Sequence, residues 1–303
     1  MVNYIIEDSK TFKYYTDSET QIEVFISVYE FNNIIYSTNV NIVKNITYFT
    51  TLTRHWNDRK VIILDKSNNQ EISFNIKGVK YNHQQKLDKC SKYLILDKND
   101  TELCDIMNKC GSDKATTHNY TKYYTQIFEK IKYDEINIFE LGIGTNNSNF
   151  SFNMGENGIP GASIFGWNEY FKNGHIFGAD IDTTCLFNTD EIKTFYCDQT
   201  NPWIIKQMWN NKYLNFKFDI IIEDGYHMFD ANVTFFENSY HKLKKHGIFI
   251  IEDIDNNEIP NWINKFEEYE KTLPQFNFEI IMLEYNNRFD NNLIKITNRH
   301  EKN

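Results

Sequence analysis

Two hydrophobic patterns follow one another along the chain. Up to about residue 98, short apolar runs (22–29, 61–64 and 71–76) are separated by Asn, Asp and Ser, which is typical of strands joined by turns. Beyond that point, strand-like runs alternate with helix-length segments, as in α/β folds. We therefore predict a small β-rich N-terminal domain of unknown role (1–98) and an α/β domain (99–303). The front domain either packs and oligomerises or helps to cover an acceptor site.

The second domain is predicted to contain a mostly parallel, Rossmann-like sheet. Its strands should begin at Ile136, His175, Ile192, Phe218 and Ile248. The helix before the last of these strands should run to Lys245 and stop at Gly247. Two final strands, 276–285 and 291–298, are too close in sequence for a helix between them, so we expect an antiparallel hairpin.

A glycine turn follows the first strand of this sheet. Gly142 and Gly144 let the backbone approach a ligand closely. The next strand ends in Asp180, at the edge where open α/β sheets bind ligands, and its carboxylate can hold ribose hydroxyls. A dinucleotide fingerprint needs a third glycine and an acid about 20 residues on. Asn146 fills the third glycine's place and Asp180 lies much farther away, so NAD is disfavoured.

Three later strands end in acids, at Asp198, at the pair Glu223–Asp224 and at the pair Glu252–Asp253. The carboxyl ends of parallel strands meet at one edge of a sheet, so these side chains should converge there. Their mutual repulsion favours a divalent cation, and hard oxygen ligands suit Mg²⁺. We predict Asp224, Glu252 and Asp253 as its ligands. His227, three residues after Asp224, is placed to act as a general base.

Two segments have both a structural and a functional interpretation. The polar residues from Gly111 to Tyr120 exceed what a helix cap needs, and such a loop can close over a cofactor or acceptor. The glycine-bearing connection 146–162 is of the length and kind that often serves a function. Ser163 then follows either as a helix cap or as a ligand contact.

Composition limits the partners and the compartment. A net charge of −10 and a pI of about 5.3 disfavour a nucleic-acid partner, which needs a basic surface. Five cysteines, an odd number without a CxxC pair, fit a reducing cytoplasm better than a disulfide framework. The first residues lack the basic segment and apolar core that are typical of a secretory leader, and no later apolar run approaches membrane-spanning length. We expect a cytoplasmic protein with a small-molecule substrate and no membrane partner; a homo-oligomer is left open.

Five motifs occur in order between about residues 105 and 298. They are Ser112-Asp113-Lys114 with Thr117-His118-x-Tyr120, Glu140-x-Gly142-x-Gly144, Asp198-Gln199, Asp224-Gly225-Tyr226-His227 and Ile251-Glu252-Asp253. This set resembles the macrocin and mycinamicin sugar O-methyltransferases, a class I S-adenosylmethionine-dependent family with relatives in bacterial capsule and surface-glycan loci. Tyr226 departs from the family pattern, which has a small residue there, and the front domain has no counterpart.

The resemblance implies methyl transfer from S-adenosylmethionine to a sugar hydroxyl, assisted by Mg²⁺ or a similar cation. The sugar would be nucleotide-linked, or part of a surface polysaccharide or a glycosylated natural product. His227 and Asp224 would be catalytic, and Asp224, Glu252 and Asp253 would hold the metal. We expect the cofactor to contact Glu140, Gly142, Gly144, Ser163, Asp180, Asp198 and Gln199.

Other functions compete with this hypothesis. A metal-independent methyltransferase acting on another small molecule would share the glycine turn. A nicotinamide-dependent sugar dehydrogenase or epimerase would favour a third glycine and a Tyr-x-x-x-Lys pair, and Tyr120 and Lys122 do not have that spacing. A non-enzymatic binding module would leave the acid cluster unexplained.

Overall fold

The computed structural model describes residues 2–6, 11–16, 18–30, 33–44, 48–51, 59–76, 89–150, 152–283 and 289–299. The chain divides into two compact units, Met1–Gln85 and Lys86–Asn303. Strand β8 (Ser91–Leu94) precedes the predicted boundary at residue 98, yet it pairs with the sheet of the second unit. The end of the first compact unit therefore differs from that boundary, and the role of the front region stays a prediction.

The first unit is built from antiparallel strands, as the turn-rich pattern predicted. They are β1 (Val2–Ile6), β2 (Thr11–Thr16), β3 (Ile22–Glu30), β4 (Asn33–Ile42), β5 (Tyr48–Thr51), β6 (Arg59–Asp65) and β7 (Gln70–Ile76). Three of them form a sheet in the order β1-β2-β5, and four form another in the order β4-β3-β6-β7. Ile22, Val24, Ile26 and Val28 are buried, because every second side chain of a strand points to the same face.

The second unit alternates strands and helices. Besides β8, its strands are β9 (Asn137–Leu141), β10 (His175–Asp180), β11 (Ile192–Tyr196), β12 (Phe218–Glu223), β13 (Leu243–Ile251), β14 (Phe276–Leu283) and β15 (Asn292–Asn298). Its helices are α1 (Glu102–Cys110), α2 (Tyr120–Phe128), α3 (Ala162–Tyr170), α4 (Pro202–Trp209), α5 (Phe229–Ser239) and α6 (Ile259–Thr272). Within the described ranges, no helix is both long and apolar enough to cross a membrane.

One eight-stranded sheet organises this unit, in the order β11-β10-β9-β12-β13-β15-β14-β8. Strands β9 to β13 run parallel, while β15 is antiparallel to both β13 and β14. This confirms the predicted mostly parallel sheet with an antiparallel end. Part of the β14–β15 connection, residues 284–288, lies outside the described residues. The carboxyl ends of β9 to β13 meet at one edge, where parallel sheets bind ligands.

One boundary prediction is wrong. Helix α5 ends at Ser239 instead of continuing to Lys245, and β13 begins at Leu243, so Gly247 lies inside the strand. Leu243 is buried and pairs with Phe218, next to a shift of register in the β12–β13 ladder. Burial of Leu243 in the sheet outweighs the helical pattern of its neighbours, which tertiary contacts commonly override.

Candidate active site

A cavity of about 490 Å³ opens at the carboxyl ends of the parallel strands. This volume lies within the range of roughly 300–1,000 Å³ that small-molecule sites occupy. The predicted site residues that line it are Gly142, Gly144, Ser163, Asp180, Asp198, Gln199, Asp224, His227, Glu252 and Asp253. The sheet topology thus brings together side chains that are far apart in sequence.

The glycine turn packs directly against the segment that follows β12. Gly142 has a φ of 83° and Gly144 a φ of 87°, a left-handed conformation that glycine adopts without strain. A Cβ atom at Gly142 would lie 1.9 Å from the backbone oxygen of Asp224. Only glycine therefore allows β9 to turn at this point.

Asp180 holds the shape of that turn. Its Oδ2 accepts hydrogen bonds from the backbone N–H groups of Ile143 (3.0 Å) and Gly144 (3.2 Å), and its Oδ1 accepts one from Asp182 (2.9 Å). Burial raises the pKa of Asp180, against the effect of these N–H donors. A carboxylate has about four lone-pair sites, so one remains for the predicted ribose contact.

Gln199 ties the end of β11 to the turn after β12. Its Nε2 donates to Glu223 Oε1 at 2.9 Å, and its Oε1 accepts from the backbone N–H of Tyr226 at 2.8 Å. Burial raises the pKa of Glu223 to about 7. Asp198, its neighbour, accepts hydrogen bonds from both the N–H and the hydroxyl of Thr200. Hydrogen bonds within the protein therefore hold both Asp198 and Gln199, the two residues after β11 that are predicted to contact the cofactor.

Glu140 is the one predicted site residue that does not line the cavity. It is fully buried, and its Oε2 accepts a hydrogen bond of 2.6 Å from Trp167 Nε1 on α3. Its Oε1 lies 3.2 Å from Lys114 Nζ, without the alignment of a hydrogen bond. Glu140 therefore lies behind the cavity wall and faces Lys114, and its contact with the cofactor stays a prediction.

Lys114, which belongs to the first of the five motifs but was given no role in the site, lies among the acids. Its ammonium is 2.6 Å from Asp224 Oδ2 and also contacts Glu252 Oε2. Burial lowers the pKa of this lysine, but the carboxylates of Asp224, Glu252 and Glu140 outweigh burial and hold the pKa well above its usual value. Tyr124 donates to the other oxygen of Glu252. Both oxygens of Glu252 therefore have protein partners.

Asp224, His227 and Asp253 form a group that fits a divalent cation. One ligand atom from each lies within 4.8 Å of the others. His227 Nε2 is 3.2 Å from Asp224 Oδ1, and Nδ1 is 3.3 Å from Asp253 Oδ2. Nε2 is buried, and it has no hydrogen-bond partner within the described part of the chain. The two carboxylates are hard oxygen ligands of the kind that Mg²⁺ and Mn²⁺ prefer. Of the three predicted ligands, Asp224 and Asp253 belong to this group and Glu252 does not.

The negative charges of the two aspartates change the pKa of the His227 imidazole. Burial lowers the pKa of His227, but the carboxylates of Asp224 and Asp253 outweigh burial and raise the pKa to about 10. The backbone there is also unusual, since His227 has a φ of 53° and Asp253 a φ of 55°. A left-handed conformation costs a non-glycine residue about 1–2 kcal/mol, and such strain concentrates at functional sites.

The cavity wall includes residues that sequence reasoning did not assign to the site. Lys114, His118 and Tyr120 come from the polar segment. Its density of hydrogen-bonding groups and its place among the five motifs indicated a role, but neither assigned one to these residues. Phe152 and Tyr226 form an edge-to-face pair with ring centroids 5.2 Å apart. Both rings are about half exposed. No pattern in the sequence distinguished Phe152 from a packing residue.

A scan against models of known protein families gives no match. Curated relatives include 8-demethyl-8-α-L-rhamnosyl tetracenomycin-C 2′-O-methyltransferase of Streptomyces olivaceus, 25% identical over 170 residues, which cover 56% of this chain and 42% of that protein. Demethylmacrocin O-methyltransferase of Streptomyces fradiae is 28% identical over 140 residues, covering 46% of this chain and 33% of that protein. The homologues are sugar O-methyltransferases. This confirms the resemblance inferred from the five motifs, although the chain spans less than half the length of these relatives.

Solved structures agree with the sheet topology. The MycE methyltransferase of the mycinamycin pathway, in complex with Mg and SAH, is 19% identical and matches 67% of this chain and 56% of its own with a TM-score of 0.51. The chain has the class I methyltransferase fold. In this sheet, the glycine turn follows β9 and Asp180 ends its neighbour β10, while the group of Asp224, His227 and Asp253 follows β12 and β13. A complex of the same enzyme with Mg, SAH and mycinamycin VI is 18% identical and gives a TM-score of 0.50. The match covers 67% of this chain and 56% of that one.

Proposed function

We propose that this protein transfers a methyl group from S-adenosylmethionine to a hydroxyl of a sugar with the help of a divalent cation. The observation that carries the proposal is the convergence of Asp224, His227 and Asp253 in the cavity that the glycine turn also lines. The names of the curated relatives, which are methyltransferases of sugars on natural products, support it.

The cofactor is assigned to the part of the cavity lined by Gly142, Gly144, Ser163, Asp180 and Asp198. Backbone at the two glycines is open to close approach, and Asp180 retains one acceptor site for a ribose hydroxyl. Gln199 lines the same part of the cavity, and hydrogen bonds to Glu223 and Tyr226 fix the position of its amide there.

When bound, S-adenosylmethionine supplies an electrophilic methyl group, and a divalent cation makes a sugar hydroxyl easier to deprotonate. Asp224 and Asp253 are the carboxylates that would hold the cation, with Glu252 as a further ligand once it exchanges a protein partner. His227 lies between the two aspartates, whose carboxylates raise its pKa to about 10. A cation that neutralised these carboxylates would return the pKa toward its ordinary value of about 6.5, and the imidazole would then take up the hydroxyl proton as general base. Much of the acceleration comes from residues that align the two reactants.

The acceptor is expected to be a small molecule that carries a sugar, either a precursor of a surface glycan or a glycosylated natural product. The net charge of −10 opposes binding to nucleic acid. Phe152 and Tyr226 present exposed aromatic surface at the cavity, against which the apolar face of a sugar ring can pack. We expect the reaction to take place in the cytoplasm.

A metal-independent methyltransferase is the second candidate, and one observation favours it. Lys114 already pairs with Asp224 and Glu252, two of the three predicted ligands, so the protein supplies part of the neutralising charge itself. In that case the acid cluster would position Lys114 and His227 without an ion.

Two measurements test these alternatives. Calorimetric titration should show that S-adenosylhomocysteine binds and that NAD does not; the reverse would contradict the proposed function. Incubation of the protein with S-adenosylmethionine and a panel of nucleotide sugars and glycosides, followed by mass spectrometry, should then show a gain of one methyl group. Loss of that product on exhaustive chelation, and its return with Mg²⁺, is expected. Full activity after chelation would instead favour the metal-independent enzyme.

A further inference from the structure

We propose that Tyr120 is a positioning residue that fixes Asp253 in the orientation needed to bind the cation. The inference rests on the proposed function, because it assigns Asp253 to the metal. Tyr120 is the first residue of α2 and is almost completely buried, with 1% of its surface exposed. Its hydroxyl reaches across the chain to a residue just beyond the end of β13.

One hydroxyl contacts both the side chain and the backbone of Asp253. It donates to Asp253 Oδ1 at 2.6 Å and accepts a hydrogen bond of 3.2 Å from the backbone N–H of Asp253. The carbonyl of Asp290 lies 3.1 Å from the same hydroxyl. A hydroxyl has one proton to donate, and the shorter contact with a charged acceptor is the stronger one. Two bonds to one residue fix its backbone and its carboxylate together.

Asp253 needs such a restraint because its backbone is strained. Its φ of 55° lies in the left-handed region, which is unfavourable for a residue with a side chain. The hydrogen bond from Tyr120 to the carboxylate is of the stronger, charge-assisted kind and offsets this strain. Without the hydroxyl, Asp253 would relax toward an extended backbone and its carboxylate would change direction.

His118 supports the same oxygen from the other side. Its ring stacks on Tyr120 with centroids 4.5 Å apart, and its Nε2 is 3.4 Å from Asp253 Oδ1. Its Nδ1 lies 3.3 Å from Asn291 Oδ1. The polar segment thus engages Oδ1, while Oδ2 faces His227 at 3.3 Å. Asp253 therefore presents Oδ1 to Tyr120 and His118, and Oδ2 to the proposed metal site.

Partners of this kind orient metal ligands, and their loss typically lowers metal affinity by about 10- to 100-fold. Tyr120→Phe removes one oxygen atom and keeps the ring that packs on His118. We therefore expect the variant to bind Mn²⁺, used as a probe for Mg²⁺, about 10- to 100-fold more weakly than the wild type. Affinity for S-adenosylhomocysteine should stay within about twofold, because the hydroxyl that the variant loses bonds to Asp253 and Asp290.

The experiment uses the full chain and needs no acceptor. Titration of Mn²⁺ followed by the electron paramagnetic resonance signal of the free ion gives the metal affinity, and calorimetry gives the S-adenosylhomocysteine affinity. Tyr123→Phe is the matched control, since Tyr123 is a buried tyrosine of the same helix that does not line the cavity. It should leave both affinities unchanged. A purely structural role of the Tyr120 hydroxyl would weaken both ligands alike.

Wild-type Mn²⁺ affinity in Tyr120→Phe would overturn the inference while leaving the proposed function intact. His118→Phe provides a second variant, which removes the other contact with Asp253 Oδ1 and should also weaken Mn²⁺ selectively. A wild-type protein that binds S-adenosylhomocysteine but no Mn²⁺ would overturn both the inference and the metal part of the proposed function. Failure to bind S-adenosylhomocysteine would contradict the proposed function, and the Mn²⁺ comparison would still decide the role of Tyr120.

Discussion

Lys114 Nζ lies 2.6 Å from Asp224 Oδ2, joining the polar segment before α2 to the turn after β12. The same ammonium contacts Glu252 and approaches Glu140. Three carboxylates therefore lie against one buried ammonium, and Asp224 also faces His227. Removing one partner of a buried ion pair is far more destabilising than losing an exposed pair, because the remaining charge stays without compensation.

Lys114→Met should lower the free energy of unfolding by about 3–5 kcal/mol. Urea unfolding followed by circular dichroism measures the change. Lys109→Met is the matched control, since Lys109 pairs with Glu169 at the exposed surface and such pairs contribute little. Equal stability of the two variants would contradict a central role for Lys114.

The Lys114→Met variant should also lose stability as the pH rises. Burial raises the pKa of Glu140 in the folded protein, and Lys114 partly opposes this. Without the lysine, folded Glu140 keeps its proton to a higher pH than the unfolded chain does. The folded state then binds more protons above the unfolded pKa of about 4.5, so stability falls from there up to the folded pKa. Urea midpoints between pH 4 and pH 8 test this, and a midpoint that rises with pH would contradict it.

Gly142→Ala should prevent cofactor binding or folding, because the added methyl group would lie 1.9 Å from the Asp224 backbone oxygen. Gly155→Ala isolates the effect of backbone strain, since Gly155 also has a positive φ (71°) but has no heavy atom of the described chain within 4 Å of the added Cβ. The Gly155→Ala variant should lose about 1–2 kcal/mol of its free energy of unfolding and should still bind S-adenosylhomocysteine. Thermal unfolding with and without this ligand distinguishes the two variants.

Asp180→Ala should weaken S-adenosylhomocysteine binding by tenfold or more. The variant loses an acceptor for ribose and the hydrogen bonds to Ile143 and Gly144 that shape the turn, and a bond to a charged group is worth about 1.5–3 kcal/mol. Calorimetry measures the affinity. Asp224→Asn, which alters the metal group, should bind the same ligand as the wild type does. If Asp224→Asn kept its fold but no longer bound S-adenosylhomocysteine, the assignment of Asp180 to the cofactor and of Asp224 to the metal would be wrong.

His227→Gln should lower turnover by about 10² to 10⁴-fold, the usual contribution of a positioned base, because an amide cannot take up the proton. S-adenosylhomocysteine affinity should be unchanged. His241→Gln, in the turn after α5, is the control and should keep wild-type turnover. Single-turnover methyl transfer measures the rate. A His227→Gln enzyme with wild-type turnover would reduce this histidine to a structural residue.

The convergence of the acids at the strand ends could be predicted from the sequence, because their position in the sheet follows from topology alone. Once β12 and β13 are parallel neighbours, Asp224 and Asp253 must lie at the same edge of the sheet. The glycine turn was equally predictable, since Gly142 and Gly144 end an apolar β-branched run. These inferences needed only side-chain types and the direction of the strands.

The partners of those acids were not predictable in the same way. Lys114 and Tyr120 reach the site because α2 packs beside the sheet, and that packing depends on long-range contacts no local pattern encodes. Glu140 was expected at the cofactor, but its side chain turns toward Trp167 behind the cavity wall. The two hydrogen bonds that Asp253 makes with the Tyr120 hydroxyl likewise join residues far apart in the sequence.

The close packing of Gly142 against Asp224 limits how this site can evolve. Even the smallest side chain at position 142 overlaps the neighbouring backbone, so no single substitution provides a tolerated intermediate. A lineage that replaced this glycine would have to remodel the ends of β9 and β12 in the same step. Exposed positions such as Phe152 and Tyr226 carry no such constraint, and acceptor preference can diversify there while this contact stays fixed.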